Sequence, residues 1–373
     1  MSTLHSPLRF APIFKEKIWG GHNLAAILGK ELPSGAAIGE SWEISGFPGD
    51  LSRCTTPAHA GADLQELLDQ YKHDLTGAGI SADFFPLLYK FIDANDNLSV
   101  QVHPDDSQAR EHGWGAFGKT ECWYIAHAKP GARIIVGLKD GVSCSDIAAA
   151  IEATALDELL NYIDITTGDV LFIPAGTVHA ILDGTVIYEV QESSDTTFRL
   201  YDWGRTDARG NSRPLHIEES LLVMNTDYHE HHKIPPVVCG DFDGGLHALR
   251  AACSYFALEE YHFERSHSHR LPSKRSFQVI SLLAGDLTVD FDGRRAELSR
   301  GESILLPATR ASIGVEGNPG ARFLLSSAPD VDSEIIDVCR RQSIPDDCLS
   351  LLGGNPAHSD IAFRLSRNPL RRP

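Results

Sequence analysis

The sequence predicts a mainly β protein built as two sheet-on-sheet β-barrels with helical insertions. Three observations carry this reading. Its 32 glycines and 20 prolines punctuate short apolar or alternating segments, each bounded by turn residues. A pattern early in the chain, IVGLKDG and then GDVLFIPAG, is echoed later by LLAGDLTVDFDG and then GESILLPAT. At 373 residues and 42% hydrophobic, the chain is long enough to bury more than one core.

Each element follows from its local pattern. ADLQELLDQYKHDL (62–75) has apolar residues at helical spacing. PLLYKFI (86–92) and LSVQVH (98–103) read as strands around the turn DANDN, and CWYIAHA (122–128) and ARIIVGL (132–138) as strands around KPG. VSCSDIAAAIEATALDELLNYI (142–163) returns to helical spacing, and DVLFIP, TVIYEVQE and TFRLYDW follow as strands. The tract NTDYHEHHKIPPVV (225–238), with two adjacent prolines, reads as a linker. A second β run begins near residue 245, and SEIIDVCRRQ after residue 330 reads as a helix leading into a basic tail. The expected division is 1–235, a barrel with the helical insertions; 236–329, a second and related barrel without metal; and 330–373, a helix with a partly disordered tail.

Composition excludes several classes of function. A formal net charge of −18 and no basic stripe argue against nucleic acid as a partner. No apolar run approaches the ~18 residues of a membrane span, and the opening MSTLHSPLRFAPIF lacks the pattern of a signal peptide. Seven scattered cysteines without a CxxC pair point to reduced thiols in a cytoplasmic setting rather than to a disulfide framework or a thiolate metal site.

Candidate chemistry concentrates in the first barrel. Gln101 and His103 in LSVQVHPDD lie two apart on a strand and share a face, as do Lys119 and Glu121 in GKTECWYI. GDVLFIPAGTVHAI then delivers His179 between Val178 and Ala180. Alone, His179 reads more readily as a core histidine bonded to a carbonyl than as a ligand, and Glu121 as an exposed strand carboxylate. Together, two imidazoles, a carboxylate and an amide oxygen on inner faces call for a shared partner. This mixed nitrogen and oxygen set suits a divalent cation, foremost Zn²⁺, one per chain, with a position left for water or substrate.

PAGTVH at 174–179, after an upstream His strand and a Glu, has the form of the second cupin motif. More widely, KEKIWGG (15–21), FIDANDNLSVQVHPDD (91–106), GKTECWYI (118–125), IPAGTVHAI (173–181) and SSDTTFRLYDWGR (193–205) resemble the type I phosphomannose isomerases in their short bacterial form. The resemblance runs from about residue 8 to about 325 and is sharpest in the first half. It implies two cupin barrels, a zinc ion held by Gln101, His103, Glu121 and His179, and active-site cations at Arg199 and Lys119. It also implies interconversion of mannose 6-phosphate and fructose 6-phosphate through a cis-enediol, with a sugar phosphate as the small-molecule partner. An inward Arg199 or Lys119 suits either the developing enediolate or the phosphate. The base stays open between Lys119, a carboxylate such as Glu189 and a water on the metal.

In the second run, RSHSHR offers His267 and His269 two apart. The matching turn has Pro307, with Arg310 and Ser312 in the region where a histidine would follow. From a different functional class, a sugar-responsive binding or regulatory protein without turnover fits the same barrels and metal.

Overall fold

The computed structural model describes residues 4, 6–153, 155–206, 210–227, 233–240, 242–308 and 312–367. Its β structure lies in four antiparallel sheets. The first has six strands in the order Ile13–Gly21, Ile38–Ser45, Leu87–Ala94, Thr185–Glu192, Glu121–Ala128 and Val170–Ile173. The second runs Phe198–Tyr201, Val100–Val102, His179–Ile181, Arg133–Leu138 and Leu160–Asp164. The third runs Val237–Cys239, Gly245–Ala252, Ala257–Phe263, Arg322–Ser327, Gln278–Ala284 and Ser303–Leu306, and the fourth His267–Arg270, Ile313–Gly317, Asp286–Phe291 and Arg294–Ser299.

The sheets stack. Trp123, Ile187 and Leu171 of the first sheet share a buried cluster with Ile134, Val136 and Ile181 of the second. Tyr261, Ile280 and Leu325 of the third share one with Val289, Leu298 and Val315 of the fourth. The opposite faces of the first and third sheets meet each other through Tyr89, Phe91 and Tyr188 on one side and Val279, Leu305 and Leu324 on the other. Polar bonds cross this seam: the Tyr124 hydroxyl donates to Glu260 at 2.9 Å and Ser281 Oγ to the Tyr188 hydroxyl at 3.2 Å. Burial of apolar area along three such contacts is the main source of stability.

The echo seen in the sequence is a strand-for-strand repeat. Numbered within each half, the first and third sheets both run first, second, third, tenth, fifth, eighth. The second and fourth both contain fourth, ninth, sixth, seventh, and the first half adds Phe198–Tyr201 as an eleventh. Closed barrels were the expectation, but among the described residues no sheet closes on itself. Segments that read as hairpins explain why: Leu87–Ala94 and Val100–Val102 belong to different sheets, as do Glu121–Ala128 and Arg133–Leu138. The chain crosses between layers at these turns, so each half is a pair of open sheets.

Helical readings need two corrections. The first predicted helix runs Leu64–Tyr71 with an Asp63–Glu66 capping box, breaks at Lys72 (φ 49°), and resumes as His73–Thr76. The second ends at Glu152, and Leu160–Asp164 is instead an edge strand with Tyr162 opposite Ile135. Its apolar residues suit both periodicities, and the open edge of Arg133–Leu138 takes it as strand. Beyond residue 330 the chain is packed through residue 367. Val331–Ile336, Asp337–Arg341, Asp346–Ser350 and Asp360–Arg367 are helical, and Ile335, Leu349, Ile361 and Leu365 join the seam between the first and third sheets. In the linker tract, residues 228–232 lie outside the described residues, and Val237–Cys239 is already an edge strand. No described helix is long and apolar enough to cross a membrane.

Candidate metal centre and its pocket

Two sheets of the first half supply the site from facing edges. Gln101 lies directly opposite His179 in the second sheet, and Arg199 lies opposite Gln101. Glu121 begins its strand in the first sheet, opposite Ile173, the residue before Pro174. The turn after Pro174 is closed by Thr177 N–H donating to Pro174 O at 3.1 Å, with Gly176 at φ 84°. A side chain there would meet Val223 O at 3.1 Å, so backbone space and φ both select glycine. Gly176 N–H also donates to His103 O at 2.8 Å, which ties the two histidine segments together.

His103, Glu121 and His179 converge, each with a ligand atom within 4.8 Å of the others, and all three are buried. His103 Nε2 is 3.3 Å from Glu121 Oε1 and His179 Nε2 is 3.7 Å from Oε2. Each Nδ1 faces a carbonyl at 2.8 Å, Thr196 O for His103 and Thr177 O for His179. A carbonyl only accepts, so each Nδ1 carries the proton and each Nε2 turns its lone pair to the centre. Glu121 Oε2 is buried without a hydrogen-bond partner among the described residues. Gln101 Nε2 stands 3.3 Å from His179 Nε2, and turning the amide over presents its oxygen to the same centre. Two oriented imidazoles, a carboxylate with an unspent oxygen and an amide fit a divalent cation.

Lys119 bonds Glu121 and lies 3.2 Å from His103 Nε2. Burial works against ionisation of Glu121, but Lys119 and His103 hold its carboxyl well below the usual range. Burial and the Lys119 charge likewise push His103 down to about 3, leaving it neutral. Arg199 is half-buried, donates from Nη1 to Pro214 O at 2.9 Å, and has its Nε buried without a partner.

A cavity of about 260 Å³ adjoins the centre, with Gln101, Lys119 and Arg199 in its wall. Sequence reasoning named Glu189 as a candidate base but missed its surroundings. Lys90 and Glu189, both buried, pair at 2.9 Å, and Trp123 Nε1–H donates to the other Glu189 oxygen at 2.9 Å. Burial and nearby Glu121 raise the Glu189 carboxyl. Glu40, 3.1 Å from Lys17, is opposed by burial, yet Lys90 and Lys17 hold it at about 2. The available signal was a charge set among apolar and aromatic residues inside a strand, Lys90 in LLYKFID and Glu189 in VIYEVQE. Glu189 does face the cavity. His267 and His269 sit instead against the Phe242 ring, at 5.7 and 5.0 Å between centroids, and Arg310 lies outside the described residues.

With this geometry, comparison with known proteins is informative. Residues 8–114 match the family described as phosphomannose isomerase type I, catalytic domain, and residues 248–325 match mannose-6-phosphate isomerase, cupin domain. The mannose-6-phosphate isomerase ManA of Bacillus subtilis is 36% identical over 312 residues, covering 83% of this chain and 96% of that protein. The mannose-6-phosphate isomerase of Streptococcus mutans is also 36% identical, over 84% of this chain and 96% of its own. A crystal structure of the mannose 6-phosphate isomerase from Bacillus subtilis aligns with a TM-score of 0.79 at 31% identity, covering 86% of this chain and 99% of that one.

Proposed function

The chain belongs to the type I phosphomannose isomerase family and is an isomerase, and from that premise we propose that it interconverts mannose 6-phosphate and fructose 6-phosphate with one zinc ion per chain. The observation that carries the metal is the meeting of His103, Glu121 and His179 with both Nε2 lone pairs turned inward. Gln101 completes the four residues that would hold the ion.

The isomerisation moves a proton between C2 and C1 through a cis-enediol, and negative charge develops on the sugar oxygens as C2 is deprotonated. A bound Zn²⁺ supplies Lewis-acid stabilisation of that charge. Lys119 and Arg199 add fixed positive charge on the cavity wall, where partial burial makes it more effective than in water. A guanidinium with an unspent buried Nε also suits phosphate oxygens. Glu189, held by Lys90 and Trp123 and raised by burial, is positioned as a proton acceptor facing the cavity. The two-barrel description of the halves rests on the repeated strand order and on the cupin-domain match. Scattered cysteines without a CxxC pair support a cytoplasmic setting.

A coupled assay on mannose 6-phosphate, with and without a chelator, tests the reading. Turnover that chelation abolishes and zinc restores is expected. Full activity after complete zinc removal would sink the metal mechanism, and no turnover by zinc-loaded protein would leave a sugar-binding protein instead.

A further inference from the structure

The strand-for-strand repeat gives the second half a position equivalent to the first site. Gln278 corresponds to Glu121, since each lies opposite the residue before a turn proline, Leu306 or Ile173. Glu259 corresponds to Lys90: Lys90 faces Glu189, which faces Trp123, and Glu259 faces Leu325, which faces Ile280. Trp42 lies opposite Lys90 and Leu249 opposite Glu259, so His247 takes the place of Glu40. Ser312 stands five residues after Pro307, as His179 does after Pro174. The ligand set is replaced, but the opening persists. Gln278 and Ser312 line one cavity of about 240 Å³, and a second of about 250 Å³ lies beside it across Ser273 and Lys274, with Glu259 and His247 in its wall and residues of the helical segment Val331–Arg341 on its other side.

The charged groups of this second cavity differ in what they have left to offer. Glu259 is bound on both oxygens, by His247 Nε2 and by Lys274 Nζ, each at 2.8 Å. Glu334 accepts from Arg275 N–H at 2.8 Å and Asp330 N–H at 3.0 Å. Lys274, with its side chain 7% exposed, has three N–H donors and uses one among the described residues. Arg341, at the rim, has no hydrogen bond or ion pair among the described residues. Both carboxylates are committed to internal donors, while both cations keep donors to give. The remaining wall is mixed, with Leu249, Pro272, Ile335 and Val338 apolar and Ser273, Ser333 and Gln342 polar. Lys274 and Arg341 balance Glu259 and Glu334 in formal charge, so an acceptor group is drawn by their unspent N–H donors rather than by a net positive field.

We infer that this cavity is a second binding site, one that takes a small organic carboxylate with a short apolar body. The carboxylate accepts from Lys274 and Arg341, and the body lies against Ile335 and Val338. The site is independent of the isomerase chemistry, since none of its lining residues comes from the first half.

Titration calorimetry of the full chain with hexanoate, and with the neutral hexanamide as control, tests the inference. One saturable hexanoate site per chain is expected, with hexanamide weaker by about tenfold or more, as loss of charge-assisted hydrogen bonds implies. Arg341→Ala, at an exposed position, should weaken hexanoate by about tenfold with an unchanged melting temperature. Lys274→Met should abolish binding; should it fail to fold, Arg341→Ala carries the test. Mannose 6-phosphate should not displace hexanoate. No saturable binding, equal affinity for hexanamide, indifference to both substitutions, or displacement by the sugar phosphate would each overturn the proposal.

Discussion

Lys90 holds Glu189 at 2.9 Å in a site where neither side chain is more than 5% exposed. The pair joins two neighbouring strands of the first sheet, with Lys90 directly opposite Glu189. Burying two charges is tolerable only while each keeps its partner. Lys90→Met should therefore cost about 3–5 kcal/mol, since it strands a buried carboxylate. Lys90→Met with Glu189→Leu should recover much of that loss, and urea unfolding of the two variants measures the difference. If the proposed role of Glu189 holds, the double variant will be stable yet inactive.

Loss of the central carboxylate separates metal binding from folding. Glu121→Gln should keep the chain folded at a cost in stability, because Lys119 loses its counter-charge while it and both histidines retain a hydrogen-bonding partner. Zinc content, read by elemental analysis, should fall to background together with isomerase activity. Normal zinc content in this variant would remove Glu121 from the ligand set.

Among the described residues Arg199 bonds none of the three converging groups, and its Nη1 is held by Pro214 O at 2.9 Å. Arg199→Ala should keep the metal and lower kcat by about 10²–10³, the usual loss on removing one charge-stabilising donor. Zinc analysis and steady-state kinetics on the same preparation give both numbers. An activity loss that tracks zinc loss would make Arg199 structural.

Gly176 is the hinge that turns His179 inward. Gly176→Ala forces a left-handed backbone on an L-residue and should cost about 1–2 kcal/mol. Because Gly176 N–H also holds His103 O at 2.8 Å, zinc affinity should fall with stability. Thermal unfolding with and without added zinc reads both effects.

Glu192 gives the protein a pH dependence distinct from the metal centre. Its carboxyl is buried, accepts from Thr120 N–H at 2.8 Å, and is raised to about 8 by burial and by the neighbouring Asp106. The folded state thus keeps a proton that the unfolded chain releases at ordinary carboxyl values. Stability should fall as pH rises from the usual carboxyl range to about 8 and then level off. Glu192→Gln, which preserves an acceptor for Thr120, should flatten that fall in denaturant midpoints measured between these limits.

Strand segments were legible in the sequence because turn residues bracket them, and the site was legible because its residues stand at fixed offsets on those strands. Gln101 and His103 share a face by the two-residue period, and Pro174 and Gly176 announce the turn that carries His179. The partners of these segments were not legible. KPG joins two strands that read as a hairpin, yet Glu121–Ala128 and Arg133–Leu138 enter different sheets. Leu160–Asp164 reads as helix until the open edge beside Ile135 is present to receive it. Glu189 was a candidate base, but Lys90 and Glu40 escaped notice because each charge is compensated by a residue far along the chain.

The sequence by itself determined which residue types could gather around a cation, and the periodicity that turns them to one face. Tertiary structure decided what surrounds them. Stacking of the first sheet between the second and the third buries Lys90, Glu189 and Glu121 together, so each sets the charge state of the others. The same stacking in the second half, with Glu259 in place of Lys90 and His247 in place of Glu40, leaves a cavity of different chemistry. Local pattern fixes direction within a strand; only long-range packing fixes which charges share a low-dielectric space.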